Sequence, residues 1–264
     1  MPIDASAHGP ALDSLNAIVH WVMLVLFLFW GAYFLYVLWR FSDKRNPKAS
    51  YVGMKSHWST YSEAGVAIVE VVLLVAFSIP LWSRWATPPE KNADLLEVKV
   101  SAEQFAWNFH YAGKDGVFGR QDVKLVSSTN PIGLDLTDPA AKDDIVTSNQ
   151  LHVELNRPVL VRISSKDVIH SFGIPVMRVK QDAIPGMEVP IHFTPVKDNV
   201  TGEWEIACAQ LCGLGHYRMR GQLFVHKKDD FAAWMKSATP ENAATPAPNP
   251  VQAATPAPPI HPVS

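Results

Sequence analysis

The stretch Cys208-Ala209-Gln210-Leu211-Cys212-Gly213-Leu214-Gly215-His216-Tyr217-Arg218-Met219 holds both cysteines of this 264-residue chain, together with a histidine and a methionine. A second histidine, His170, lies upstream in Asp167-Val168-Ile169-His170-Ser171-Phe172. Thiolate and thioether are soft donors that select copper, imidazole suits copper and zinc alike, and methionine is essentially never a zinc ligand. A mononuclear blue-copper site needs one cysteine, so the second thiol calls for another account. Two thiolates can bridge two metal ions, one taking His170 and the other His216, with Met219 and a backbone carbonyl between the cysteines completing the set. Gly213 and Gly215 suit the tight turns of such a loop. Two plainer readings stay open. One is a local disulfide in an exported domain; the other is a structural zinc site of both cysteines with His170 and His216, which leaves Met219 unexplained.

Outward from this loop, the composition describes a membrane protein with a modest exported domain. The chain is 48% hydrophobic with a formal net charge of -2, which leaves no basic footprint for nucleic acid. Ser14 to Trp39 contains no Lys, Arg, Asp or Glu, long enough for a bilayer-spanning helix. Ala64 to Trp82 is interrupted only by Glu70. No basic residue precedes the first segment and it exceeds a signal h-region, so it is read as retained. Arg40, Lys44, Arg45, Lys48 and Lys55 lie between the segments, whereas Asp4 and Asp13 flank the first. The positive-inside rule then places that loop in the cytoplasm of a bacterial-type plasma membrane, with the N-terminus and the copper loop on the periplasmic side. Glu63 and Glu70 are two helical turns apart on one face; Glu70 reads as a helix-to-helix hydrogen-bonding group, and Glu63 divides between a headgroup position and a functional one.

From Glu90 to Lys236 the chain reads as strands joined by turns. Gln104-Phe105-Ala106-Trp107-Asn108-Phe109-His110-Tyr111 places Phe105, Trp107, Phe109 and Tyr111 on one face of a strand. Further runs at 151–155, 159–163, 188–193 and 221–225 look alike, and suggest a sandwich or barrel. Residues 113–149 form a turn-rich surface excursion with room for one strand. From Ser237 the composition becomes Pro- and Ala-rich, with no apolar periodicity, as a disordered extension would be. The organisation is therefore a two-helix hairpin over 1–89 (helices about 14–40 and 64–85), a β domain over 90–236 and a tail over 237–264. His152, His192 and His226 sit in strands without a soft partner, and read as hydrogen-bonded or solvent-facing imidazoles.

Taken together, the hairpin, the aromatic strand, Asp167 to Phe172, Lys180-Gln181-Asp182-Ala183-Ile184-Pro185-Gly186 and the cysteine loop resemble subunit II of haem-copper cytochrome c oxidases. The resemblance implies a cupredoxin-like β barrel or sandwich carrying a dinuclear copper centre, CuA. By motif position, His170, Cys208, Cys212, His216 and Met219 would be side-chain ligands and Gln210 a backbone-carbonyl ligand. The centre would take electrons from a c-type cytochrome and pass them to haem in subunit I, where oxygen is reduced to water and protons are pumped; this subunit holds no catalytic residue of its own. Three departures limit the carry-over. Gln210 stands where the family commonly has a Glu that helps hold magnesium at the subunit I interface, and a neutral amide is a poorer ligand for so hard a cation, so no magnesium site is carried over. Phe105 stands where many members have an electron-receiving Trp, which leaves Trp107 and Tyr111 as candidates for that role, against the plainer reading of core aromatics. No Cys-x-x-Cys-His occurs, so no covalent haem is expected in this chain and the donor is separate. Glu63 matches the family's glutamate at the mouth of a proton pathway. Asp167 and Asp182 flank the copper region, where rim charges would speed docking of a basic cytochrome. The CuA subunit of a nitric oxide reductase and a membrane-anchored, disulfide-stapled binding module are the alternatives.

Overall fold

The computed structural model describes residues 2–48, 51–52, 56–89, 92 and 94–240. The chain divides into two compact units. One is the helical hairpin, His8–Pro88; the other joins the residues up to Ala7 to the β-rich part from Pro89 onward.

Helix α1 (Gly9–Arg40, 32 residues) and helix α2 (Trp58–Ala86, 29 residues) are both long and apolar enough to cross a membrane. They begin further upstream than the apolar runs, because polar flanks such as Asp13 and Ser59 join the helical turns. Large apolar side chains such as Phe27, Leu35, Ile68 and Leu74 point away from the protein, as lipid-facing residues do. The first turns of α1 (Ala11, Ser14, Leu15, Ile18) line a cavity with the last turns of α2 (Ala76, Phe77, Pro80, Leu81), so the two run antiparallel. Within α2, Leu73–Ser78 widens into π-helix. Pro80 is the cause: it lacks an N–H and its ring crowds the carbonyl of Ala76, and the wider turn relieves both.

The β unit is a sandwich of two five-stranded sheets. One has the order β3-β2-β1-β5-β8 and the other β4-β10-β9-β6-β7. The strands are β1 (Leu96–Glu103), β2 (Ala106–Tyr111), β3 (Ile145–Ser148), β4 (Gln150–Glu154), β5 (Val159–Ser165), β6 (His170–Ile174), β7 (Val179–Ala183), β8 (Val189–Phe193), β9 (Asn199–Cys208) and β10 (Arg220–His226). The pairs β1–β5 and β4–β10 are parallel and the other pairs antiparallel. Val98, Val100, Trp107, Phe109, Val161 and Ile163 from the first sheet meet Leu151, Phe172, Ile174, Ile206, Leu223 and Val225 from the second in one core. This is the cupredoxin-like architecture, with the hairpin ahead of it.

Several details differ from the reading of the sequence. Gln104 and Phe105 do not belong to the aromatic strand; they make the turn between β1 and β2, and Phe105 is only half-buried. Strand β2 is buried on both faces, because the excursion after Gly113 folds back over it: His110 Nε2 and Asp144 Oδ2 lie 2.6 Å apart, and Asp144 also accepts from Gly119 N at 2.7 Å. A helix, Lys228–Ala238, follows β10 and carries Ser237 and Ala238 out of the expected tail. Asp229 and Asp230 suit its N-terminus and Lys236 its C-terminus, while Phe231, Trp234, Met235 and Ala238 recur at helical spacing against the core. The rest of the tail, 241–264, lies outside the described residues.

The segment before α1 belongs to the sandwich. Ala5 is fully buried; its N–H donates to Val176 O at 2.8 Å and its carbonyl accepts from Val196 N at 2.8 Å, while Ala7 N donates to Thr194 O at 2.9 Å. Both ends of the hairpin thus lead into the same β unit.

Candidate metal centre

The sulfur-rich loop is the connection between β9 and β10, and its neck is closed by the ladder. Cys208 is the last residue of β9 and Met219 immediately precedes β10; Cys208 N donates to Met219 O at 3.3 Å. Strand β6 pairs with β9 so that Phe172 lies opposite Cys208, and Ala209 N donates to Ser171 O at 2.9 Å. That register brings His170, the first residue of β6, to the mouth of the loop.

Five side chains converge there. Cys208 Sγ and Cys212 Sγ are 3.8 Å apart, and both cysteines are free thiols. His170 Nδ1 is 3.9 Å from Cys208 Sγ, His216 Nδ1 is 3.5 Å from Cys212 Sγ, and Met219 Sδ is 3.8 Å from Cys212 Sγ. The carbonyl oxygen of Gln210 lies 3.2 Å from Cys208 Sγ, while its side chain points to solvent. His170, Cys208 and Cys212 alone bring three ligand atoms within 4.8 Å of one another. His170, Cys212 and Met219 are buried; Cys208 and His216 are half-buried. Burial, and next the neighbouring Cys208, push the Cys212 thiol up to about 12. Two thiols packed this closely do not both ionise unaided, whereas a bound cation deprotonates a coordinating thiol outright. Soft sulfur on three corners and imidazole on two is a donor set for copper.

The surroundings fix this arrangement. Gly213 has φ +127°, and a Cβ there would lie 2.7 Å from Gln104 Nε2; one at Gly215 would lie 2.4 Å from the Phe105 ring. The loop therefore wraps against the β1–β2 turn through two positions that only glycine fits. Asp167, expected at the docking rim, is an exposed residue whose carboxylate is also hydrogen-bonded within the chain. Its Oδ1 accepts from His170 Nε2 at 2.9 Å and Val168 N at 2.7 Å, and its Oδ2 from Gln104 N at 2.7 Å. Burial works against its charge, but these hydrogen bonds outweigh burial and hold the carboxyl below the usual carboxylate range. A carboxylate only accepts, so His170 carries its proton on Nε2 and turns the Nδ1 lone pair toward the sulfurs.

The other sequence candidates lie apart from this cluster. Trp107 is fully buried behind the site, its ring 6.1 Å from that of His170 and 5.3 Å from Phe172. Tyr111 is fully buried as well; its hydroxyl accepts from His152 N at 2.8 Å and donates to His152 O at 3.1 Å, and burial raises its pKa. Neither reaches the surface of the chain. Asp182 is half-buried in β7, opposite Ser171. Glu63 sits in α2, accepting from Ser59 Oγ at 2.9 Å. Two contacts escaped the sequence reading: Phe105 seated on the glycines of the loop, and Gln104 Nε2 donating to Cys212 O at 2.6 Å. The signal was there in the quoted Gln104-Phe105 pair, but period-two alternation absorbed it into a strand.

The fold and the loop together define a cupredoxin-like sandwich that carries both cysteines between two adjacent strands. The family model for the cytochrome c oxidase subunit II periplasmic domain matches residues 96–223. The alternative cytochrome c oxidase subunit 2 of Bradyrhizobium diazoefficiens is 34% identical over 227 residues, covering 85% of this chain and 78% of the relative. Cytochrome c oxidase subunit 2 of Cereibacter sphaeroides is 27% identical over 252 residues, covering 87% and 78%. Among solved structures, the periplasmic domain of subunit II of cytochrome oxidase of Bradyrhizobium japonicum is 24% identical, covering 58% of this chain and 96% of that one, with a TM-score of 0.39. The chain belongs to the cytochrome c oxidase subunit II family, whose members are subunits of the haem-copper oxidase complex.

Proposed function

We propose that this chain is the electron-entry subunit of a haem-copper oxidase and holds a dinuclear copper centre between Cys208, Cys212, His170, His216, Met219 and the Gln210 carbonyl. The observation that carries the reading is the gathering of two free thiols, two imidazole Nδ1 atoms and a thioether at one partly buried loop, each within 3.9 Å of a cysteine sulfur. When bound, such a centre accepts and releases one electron at a time. The protein's part is to keep the ligands still: the neck hydrogen bond, the β6–β9 ladder and the Phe105 packing leave the loop little to rearrange when charge changes.

In this reading the donor is a c-type cytochrome. Exposed Leu211, Leu214 and Tyr217 surround the site with apolar surface, and Asp182 adds a charge to the rim. Electrons enter across this surface beside Phe105, while Trp107 and Tyr111 act from behind it. The acceptor is haem in subunit I, where oxygen is reduced and protons are pumped, with Glu63 assigned to the mouth of a proton path. With its exposed neutral amide, Gln210 is assigned no magnesium. The copper domain lies outside a bacterial plasma membrane. One observation supports that side: the basic residues Arg40, Lys44, Arg45 and Lys48 in the loop between the helices.

The test is to load the purified full-length chain in detergent with copper and record its visible and electron paramagnetic resonance spectra. An intense colour with the hyperfine pattern of one electron shared by two copper nuclei is the expected result. A colourless protein that retains zinc, or one whose thiols have joined each other, overturns the reading.

A further inference from the structure

Three hydrogen bonds form an unbroken chain across the metal centre between segments far apart in sequence. His170 Nε2 donates to Asp167 Oδ1 (2.9 Å), Gln104 N donates to Asp167 Oδ2 (2.7 Å), and Gln104 Nε2 donates to the carbonyl of Cys212 (2.6 Å). The first link holds one ligand by its ring. The last holds another by its backbone. Between them stands the β1–β2 turn, which supplies no ligand. We propose that Gln104 and Asp167 are positioning residues that clamp the His170 corner to the cysteine loop and so set the spacing of the copper ligands.

Four features favour this over a general tie between loops. The carboxylate uses one oxygen on the ligand and the other on the turn, and releasing the fully buried His170 leaves its donor unpaired. The Gln104 amide is oriented by its partner, since a carbonyl only accepts. Gly213, next to Cys212, leaves no room for a Cβ beside Gln104 Nε2, which keeps the amide at bonding distance. Finally, an imidazole whose second nitrogen is held by a carboxylate is fixed in ring orientation and tautomer, the usual way an outer group acts on a metal ligand.

The inference rests on the copper reading above, and one experiment separates the two. The full-length chain is prepared unsubstituted and as Gln104→Glu, Gln104→Met and Asp167→Asn. Gln104→Glu keeps the shape but replaces the donor with an acceptor facing the Cys212 carbonyl. Gln104→Met keeps the length without a donor, and Asp167→Asn cannot accept from both His170 and Gln104. Copper affinity is measured by competition with a chelator, the paramagnetic spectrum is recorded, and thermal unfolding of the metal-free chains is followed in parallel. No donor protein is present, so a docking effect of Asp167 cannot contribute. Each substitution is expected to weaken copper binding about 10- to 100-fold and to change the copper hyperfine pattern, with metal-free unfolding little moved. Combining Gln104→Glu with Asp167→Asn should cost less than the product of the single losses, because both break one chain of bonds. If copper affinity and spectrum match those of the unsubstituted chain, or change only in step with metal-free unfolding, the clamp is refuted. If the unsubstituted chain itself forms no dinuclear centre, the copper reading falls and the clamp with it.

Discussion

Two pairs of histidines lie toward the two ends of β10, and their surroundings give them opposite characters. At the end where Met219 enters the strand, His170 and His216 each present Nδ1 to a cysteine sulfur. Seven residues along, about 23 Å at strand rise, His226 Nε2 meets His152 Nδ1 at 2.8 Å, and no thiol is near. There the rings stack: His152 lies 4.3 Å from Trp234 and 4.4 Å from Phe224, centroid to centroid and nearly parallel. Burial, and then the neighbouring His226, lower the His152 pKa to about 3; burial also lowers that of His226, against an opposing pull from Asp230. The same side chain is thus a lone-pair donor at one end and an aromatic plate at the other. A carboxylate turns His170 toward the sulfurs, whereas a second imidazole ties up His152.

The sharpest way to break this comparison is to remove one histidine from each pair. In the proposed centre His170 is a ligand, so His170→Ala should abolish the dinuclear spectrum of copper-loaded chain. His226→Ala should leave that spectrum unchanged. A dinuclear signal that survives His170→Ala, or vanishes with His226→Ala, would show that the two ends are not chemically separate.

Next in size is the pH dependence of copper uptake. The Cys212 thiol is pushed up to about 12 by burial and its neighbouring thiol, so it carries its proton at any physiological pH and the metal must displace it. Lower pH therefore weakens binding, by about tenfold per pH unit from this thiol alone, since one displaced proton contributes about 1.4 kcal/mol per unit. Chelator competition at about pH 8 and about pH 6 checks the sign and slope. The slope should be untouched by changes at the His152 end, and a flat profile would mean that the thiols are already ionised without metal.

How much of this contrast could be read from residues alone depends on where the information lies. The sulfur-rich loop was legible because Cys208, Cys212, His216 and Met219 stand within one short run, and His170 stands in a recognisable hexapeptide. The two apolar helices were legible because crossing a membrane demands length and composition. Strand β6 was not, because His170 to Ile174 are buried throughout and show no alternation. Strand β9 hid behind Glu203 and Glu205, and the helix Lys228–Ala238 went unread although its apolar spacing is helical. The contact between His152 and His226 depends on β4 pairing in parallel with β10, which periodicity cannot reveal. Gln104 and Asp167 are ordinary polar residues until the fold sets them side by side.

The smallest expected effect tests the stacked end. His152 is neutral in the folded chain down to about pH 3, whereas in the unfolded chain it gains a proton below its ordinary value of 6.5. The unfolded state therefore binds more protons throughout that window, and stability falls as pH drops through it, by about 1 kcal/mol per unit from this residue. His152→Phe keeps a flat ring between Phe224 and Trp234 and removes the titration. At pH 7 it should cost about 1 kcal/mol, the worth of the lost hydrogen bond to His226. Below about pH 6 it should begin to recover that loss, so thermal unfolding curves of the two chains converge as the medium is acidified. Curves that stay parallel from pH 7 to about pH 5 would mean that the His152 ring takes up its proton inside the fold, and that the aromatic stack tolerates a cation.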